Sequence, residues 1–394
     1  MARKAAAGTG TIRKKTVTRG GKPYTYWEAR YTAGYDPGTG KQIQRSITGK
    51  TQKEVAQKLK AATAAIDEGT YIAPSKMTVA QWLDTWTAEY LGNVKPLTAT
   101  AYKSVIKTHI KPGIGAVRLE SLSAHTVQKF YNELSRPAEG NALSPKSVKN
   151  IHGVLHRALQ QAVSNNYIRY NPADACILPR APKKEIHPLD EIQISAFLKA
   201  IKNHRFEELY TVTLFTGMRE GEVLGLLWGC VDLNKGTICV NKQLQKIPGT
   251  GGQYQLVDTK NSKGRTITAP PTVVSALRKV RRKQQENRLR YGECWSDTGF
   301  VFSDELGLHL KHKTVYTEFK RIMVQIGSPD ARFHDLRHSY AVASIKSGDD
   351  VKTVQENLGH ATAAFTLDIY GHVTEQMKQD SAARMERFIK TVSA

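Results

Sequence analysis

The sequence predicts a multidomain α+β protein: a small three-stranded sheet with one helix, then a helical bundle, then a mostly α domain holding a small antiparallel sheet. Three observations predict it. Short runs of β-forming residues, separated by Gly, Pro and Asp turns, fill the first fifty positions. Between residues 78 and 165 apolar side chains recur every three or four positions, with almost no strand signal. After Pro188, helical stretches flank a middle section that reads as strands. A length of 394 residues suits two or three domains, each with its own core.

The elements follow in order. The first eight or nine residues read as a disordered arm, and strands are expected at Gly10–Thr18, Tyr24–Thr32 and Gln42–Thr48. Thr51 with Glu54 three residues later is a capping-box pattern, opening a helix that runs to about Asp67. Glu68–Lys76 is a Gly/Pro-bearing linker. Thr78 then caps a helix whose stripe is Val79, Trp82, Leu83, Trp86 and Tyr90. Helices are expected at Thr98–Thr108, Ser123–Glu133 and Ser144–Asn165. Pro172, Pro179 and Pro182 make Asn171–Ile186 a stiff, exposed connector and the main domain boundary. Beyond it, helices are expected at Leu189–Asn203, at Phe206–Thr216 and from about Arg219. Strands are expected at Gly236–Leu244, Tyr254–Val257 and Arg265–Ala269. Helices then return at Pro271–Arg290, Lys313–Val324, His334–Lys346, Val351–Leu358 and Glu375–Lys390.

Composition narrows the function. The 58 Lys+Arg against 35 Asp+Glu leave a net charge of +23, an excess best matched by a polyanion such as nucleic acid. Residues 1–50 are the most basic part, with eleven Lys+Arg against two carboxylates. No stretch approaches 18 apolar residues, so no membrane span is expected. The basic N-terminus lacks the apolar core of a secretory signal. Four scattered cysteines point to a reducing cytosol and away from a disulfide framework or a zinc site.

Four segments carry chemistry. Thr216–Glu222 (TGMREGE) places Arg219 in the first turn of a helix, where free N–H groups favour anions, with Glu222 one turn on. In isolation it reads equally as an ion-paired surface turn. Asp258–Thr266 (DTKNSKGRT) reads as a hairpin tip whose lysine could reach into a cleft as a general acid, or as a solvated turn. Phe333–Tyr340 (FHDLRHSY) puts His334 and Arg337 one helical turn apart, a pairing that suits a phosphate, although many such pairs are solvated faces. Asn357–His372 (NLGHATAAFTLDIYGH) carries His360 after a Gly turn and Tyr370 ten residues on, a nucleophile or a core aromatic.

Read in order, TGMREGE, the lysine tip, HDLRH, then LGH and a tyrosine ten residues on resemble the tyrosine recombinase (phage integrase) family. The resemblance extends over nearly the whole chain and is similar to the arm-type integrases of prophages and conjugative transposons. It implies an arm-type DNA-binding domain at residues 1–68, a SAM-like core-binding domain at 77–170, a linker at 171–186 and a tyrosine recombinase catalytic fold with a C-terminal tail at 187–394. Arg219 and Arg337 would bind the scissile phosphate, His334 would act as base or hydrogen-bond donor, His360 would be a further phosphate contact and Tyr370 the nucleophile. The general acid would be Lys260, with Lys263 on the same tip as the alternative. Glu222 and Asp335 would orient these groups. Arg13, Lys14, Lys15, Arg19, Lys22 and Arg30 in the first domain, and Lys103, Lys107, Lys111, Lys146 and Lys149 in the second, would contact DNA; the run Arg278–Arg290 would do so or be a solvated face.

The family likeness further implies integration and excision of a mobile element through a 3′-phosphotyrosyl intermediate, with no metal, ATP or other cofactor. The partners would be double-stranded DNA at core and arm-type sites, a homotetramer on that DNA, a host DNA-bending protein and an excision factor, all in the bacterial cytoplasm. The tail, with apolar residues at Met377, Met385, Phe388 and Ile389, would dock on a neighbouring subunit or pack on its own domain. A Xer-like resolvase or a type IB topoisomerase-like enzyme would share the chemistry, but the basic first domain argues against both. A non-enzymatic DNA-binding regulator with an inherited domain should have lost part of the catalytic set, and this chain has all of it.

Overall fold

The computed structural model of the chain describes residues 11–35, 38–69, 71, 76–136, 140, 142–182, 187–247, 249–259, 264–359, 362 and 375–393. Its contacts divide the protein into two units, Met1–Pro182 and Lys183–Ala394. In the first, β1 (Thr11–Arg19), β2 (Lys22–Tyr35) and β3 (Gln42–Gly49) form an antiparallel sheet in the order β1-β2-β3, with a bulge at Thr32/Gly34. Helix α1 (Gln52–Asp67) has Thr51 as its N-cap, as its sequence predicts, with the Glu54 N–H donating to Thr51 Oγ1 at 3.2 Å; the Glu54 carboxylate reaches one residue further back than a capping box requires and accepts the Lys50 N–H at 3.0 Å. Ala29, Tyr31, Val55 and Leu59 form the small core between sheet and helix.

The helices of the same unit are α2 (Val79–Glu89), α3 (Pro96–Val105), α4 (Lys111–Ile114), α5 (Ala124–Ser135) and α6 (Pro145–Ser164). Val79, Trp82, Leu83 and Trp86 are buried as their spacing requires, and the Trp82 indole N–H donates to the Ala158 carbonyl at 2.9 Å. Tyr90, the fifth member of the stripe, is instead 41% exposed and accepts a hydrogen bond from Asn165. The helix expected to end at Thr108 continues to Ile114. It does so through one π turn, Ile106–Ile110, in which the Lys111 N–H bonds the Ile106 carbonyl five residues back. That wider turn lets the chain stay helical across Pro112, which has no N–H to give.

The connector expected to be exposed is packed over its first half. Asn171, Pro172 and Ala173 are buried. The Asn171 amide donates to the His156 carbonyl at 3.1 Å, and Gln128 bonds both the N–H and the carbonyl of Ile177. The prolines stiffen this stretch, but Asn171 and Gln128 satisfy its backbone against α5 and α6, so it joins the helical core.

The second unit comprises α7 (Glu191–Ala200), α8 (Glu207–Thr216), α9 (Glu220–Leu224), β4 (Val231–Asp232), β5 (Thr237–Val240), β6 (Lys242–Lys246), β7 (Tyr254–Asp258), β8 (Arg265–Thr268), α10 (Pro271–Tyr291), α11 (His312–Gln325), α12 (Phe333–Lys346), α13 (Val351–Leu358) and a C-terminal helix, Glu375–Val392. The rings of Phe197, Tyr210, Phe319 and Phe333 meet in its core. The single strand expected at Gly236–Leu244 is interrupted at Asn241, and the halves join different sheets, β4-β5-β8 and β6-β7. Asp258 pairs with Lys242 and Arg265 with Val240, so β7 and β8, the strands on either side of the lysine segment, do not pair with each other and belong to different sheets. Residues 260–263 of that segment lie outside the described residues.

Trp82 carries the largest buried side chain of the helical core, and its removal leaves a cavity and loses the indole bond to the Ala158 carbonyl. Trp82→Ala is expected to cost about 3–5 kcal/mol, read as a lower urea midpoint for the first unit's transition; a loss below about 1 kcal/mol would contradict this packing.

Candidate active site

The site is built around a carboxylate. Gly217 ends α8 in the left-handed conformation (φ 63°), where a side chain would strike Tyr340 and Leu358, and the chain re-enters helix at Arg219. The Glu222 carboxylate, 1% exposed, accepts four donors: the Arg219 N–H (2.9 Å), Arg219 Nη1 (2.7 Å), Arg265 Nη1 (3.1 Å) and Arg265 Nη2 (2.6 Å). These fill the lone pairs a carboxylate offers. Burial alone would raise the Glu222 pKa, but the hydrogen bond and charge of Arg265, followed by those of Arg219, outweigh it and hold the acid at about 2. Among the described residues the remaining donors of Arg219 have no partner, and the side chain is 26% exposed.

Helices α12 and α13 complete the cluster. Arg337 is fully buried, donating from Nη1 to the Gly217 carbonyl (2.7 Å) and from Nη2 to the Leu358 carbonyl (2.5 Å). Arg265 Nε donates to the Asn357 carbonyl at 2.6 Å. Two arginines thus sit on consecutive carbonyls at the C-terminus of α13, where unpaired acceptors and the helix dipole favour cations. His334, one turn before Arg337, lies at the surface of α12 with its ring 4.8 Å from that of His338. Desolvation, then the charges of Arg337 and Arg219, push its pKa down, so it stays neutral at neutral pH. An anion near Arg219 would meet converging positive charge with a neutral imidazole beside it, a setting suited to a phosphate.

Asp335 is buried at the start of α12: its carboxylate accepts the Arg332 N–H (2.8 Å) and Arg332 Nη2 (3.1 Å), closing the first turn, and its charge acts on His334 and His338. Lys260, Lys263, His360 and Tyr370 lie outside the described residues; Thr259 and Gly264 on one side and Gly359 on the other bring the chain to the cluster's edge. Sequence reasoning missed Arg265, which served only as a landmark for the lysine. Its available signal was position: a lone arginine opening a strand directly after a polar loop.

The basic residues of the first unit divide in two. Arg13, Lys15 and Arg30 gather around the buried Glu28 at 2.7, 3.6 and 3.9 Å, while Lys14 and Lys22 are exposed and Arg19 ends β1. On the helices, Lys103, Lys107 and Lys146 are exposed, Lys149 is half-buried and Lys111 pairs with Asp84. Arg278 and the arginines at 281, 282, 288 and 290 are exposed on α10. Met385, Phe388 and Ile389 of the C-terminal helix are 59, 60 and 46% exposed, and the side chain of Met377 lies outside the described residues. No helix among the described residues is long and apolar enough to cross a membrane.

Two buried groups predict acid sensitivity. Desolvation, reinforced by His334, lowers the His338 pKa to about 4. The unfolded chain therefore binds a proton below about pH 6.5 that the folded one refuses, and stability falls from there to about pH 4. The depressed Glu222 contributes stability above about pH 4.3 that is lost as pH falls toward 2. Calorimetry should show the second unit's transition falling through both windows, the upper one flattened by His338→Gln and the lower by Glu222→Gln. Unchanged slopes in these variants would contradict the assignments.

Comparison with known proteins gives this geometry a family. Residues 187–377 match the phage integrase family, and residues 78–135 match the phage integrase N-terminal SAM-like domain. A XerC-like tyrosine recombinase of Caldanaerobacter subterraneus subsp. tengcongensis is 29% identical, over 94% of this chain and 97% of that protein. An integrase of Streptomyces ambofaciens is 28% identical over 92% of this chain and 94% of its own, and the ICEBs1 integrase of Bacillus subtilis is 24% identical over 90% and 95%. Among solved structures, the Tn1549 transposon integrase in complex with transposon right end DNA has a similar fold, with a TM-score of 0.67, 22% identity and coverage of 79% of this chain and 100% of that one. A lambda integrase tetramer bound to a Holliday junction matches with a TM-score of 0.55 and 19% identity, over 89% and 94%. The expected mostly helical fold with small antiparallel sheets is the one these structures share, and with its two family matches spanning more than half its length the chain belongs to the phage integrase family of tyrosine recombinases, enzymes that exchange DNA strands at specific sites.

Proposed function

We propose that this recombinase integrates and excises a mobile element, using Tyr370 as nucleophile and Arg219, Arg337, His334 and His360 around the scissile phosphate. The observation that carries the reading is the grouping of Arg219, held by the saturated Glu222 carboxylate, with Arg337, bonded to the Gly217 carbonyl two residues before it, and a neutral His334 that feels the charge of both arginines. Tyr370 Oη attacks phosphorus, the bond to the 5′-oxygen breaks, and Lys260, or Lys263 in its place, gives that oxygen a proton. The phosphotyrosyl bond retains the energy of the broken link, so a second 5′-hydroxyl can reverse the step on a partner strand without ATP or a metal. Stabilising the extra charge on five-coordinate phosphorus is the arginines' task. A general acid contributes about 10²–10⁴-fold in such reactions.

The remaining modules bind. The sheet of residues 11–49 takes arm-type sites and the helical block takes the core site, in keeping with the integrase names of the relatives. The active assembly is a tetramer on two duplexes, as the lambda integrase structure on a Holliday junction suggests, and the exposed stripe of the C-terminal helix supplies contacts between subunits. A host DNA-bending protein and an excision factor set direction, and the work is done in the bacterial cytoplasm.

A nicked suicide duplex carrying the element's ends, incubated with EDTA, tests the reaction. A covalent protein–DNA band should form without metal and vanish in Tyr370→Phe, while gel-shift affinity stays the same; a band that persists in the variant would remove Tyr370 from its role. For the binding surface, Lys103→Ala with Lys107→Ala should weaken core-site binding and reduce the slope of log K against log salt by about 2. An unchanged slope would take these lysines off the DNA.

A further inference from the structure

We infer that Arg265 is a positioning residue for strand cleavage: it keeps Arg219 aimed at the phosphate and fixes the turn that leaves α13. The inference rests on the reading of Arg219 as a phosphate ligand. Arg265 opens β8 opposite Val240, and its side chain is 10% exposed. Its fork is spent on Glu222 and its Nε on the Asn357 carbonyl, so it binds protein on both edges. It also lies against Gly359, where an added Cβ would stand 3.0 Å from Arg265 Cδ and 3.2 Å from Nη1. Gly359 is left-handed at φ 65°, so both the turn's conformation and its contact with the guanidinium call for glycine.

The effect on Arg219 follows from counting acceptors. Arg265 occupies one site on each Glu222 oxygen, and the Arg219 backbone N–H takes a third. Arg219 is left one side-chain contact, through Nη1, and keeps its other donors for a ligand. With Arg265 gone, Glu222 can take the Arg219 guanidinium in a two-point fork and draw it away from the phosphate. A lysine at position 265 carries the charge but only a single nitrogen, and cannot bridge Glu222 and the Asn357 carbonyl as the planar fork does. Arg265 thereby joins the TGMREGE segment and the α13 turn through one side chain.

The test measures single-turnover cleavage of the suicide duplex by the full-length protein, Arg265→Lys and Arg265→Gln, with Arg219→Ala for comparison. Each is assayed on the normal duplex and on one with an uncharged methylphosphonate at the scissile position. A residue acting through Arg219 matters only when the phosphate is charged. Both Arg265 variants should slow cleavage of the normal duplex by about 10–100-fold and change the methylphosphonate rate less than about threefold, with Arg219→Ala showing the same selectivity. Equal losses on both substrates, unchanged rates on the normal one, or failure of both variants to fold would overturn the inference. If Arg219→Ala instead cleaves the normal duplex like the native protein, the fault lies with Arg219 as phosphate ligand, and the inference falls with it.

Discussion

One buried carboxylate organises the catalytic unit. Glu222 has no access to water, and an isolated carboxylate there would be protonated or expelled. It is retained as an anion because two guanidiniums and a backbone N–H meet all its lone pairs. The cluster of Arg219, Arg265 and Glu222 keeps a net positive charge, and that surplus faces the place where an anion would bind. Removing one member of a buried pair commonly costs about 3–5 kcal/mol. The site and the stability of its domain therefore depend on the same contacts.

A second constraint is the C-terminus of α13. Its last carbonyls have no partners inside the helix, and Arg265 and Arg337 bond Asn357 and Leu358 in turn. Arg337 also bonds the Gly217 carbonyl, so the turn before Arg219 and the turn after α13 are held by one side chain. Segments far apart in the chain, near residues 217–222, 265, 334–337 and 357–359, form one hydrogen-bonded body. Displacing any of them moves the others, which gives a physical reason for catalytic groups spread over so much sequence.

Much of this was legible in the sequence, where local rules govern. The caps at Thr51 and Thr78, the Trp82–Trp86 stripe and the left-handed Gly217 follow from residue type and spacing. The pairing of Arg219 with Glu222 followed from their separation by one turn. What escaped depended on distant partners. The break at Asn241 comes from two strands competing for one long one, and the continuation past Pro112 needed a π turn that no local pattern announces. Asn171–Leu178 looked like linker because its packing rests on Gln128 and His156, in helices read separately. The pairing of Asp335 with Arg332 is local, three residues apart, but follows from no pattern the sequence singles out. Arg265 was passed over because its two partners, Glu222 and Asn357, lie 43 and 92 residues away.

The central claim is that the Glu222 carboxylate positions Arg219 for the phosphate. Glu222→Gln keeps the shape but replaces one acceptor oxygen with an NH₂ that repels a guanidinium. The direct measurement is its single-turnover cleavage rate on a suicide duplex, at a pH and temperature where the variant is folded, beside its affinity for the same DNA. The account predicts cleavage slower by about 100-fold at unchanged affinity. Cleavage within about threefold of the native rate would contradict it.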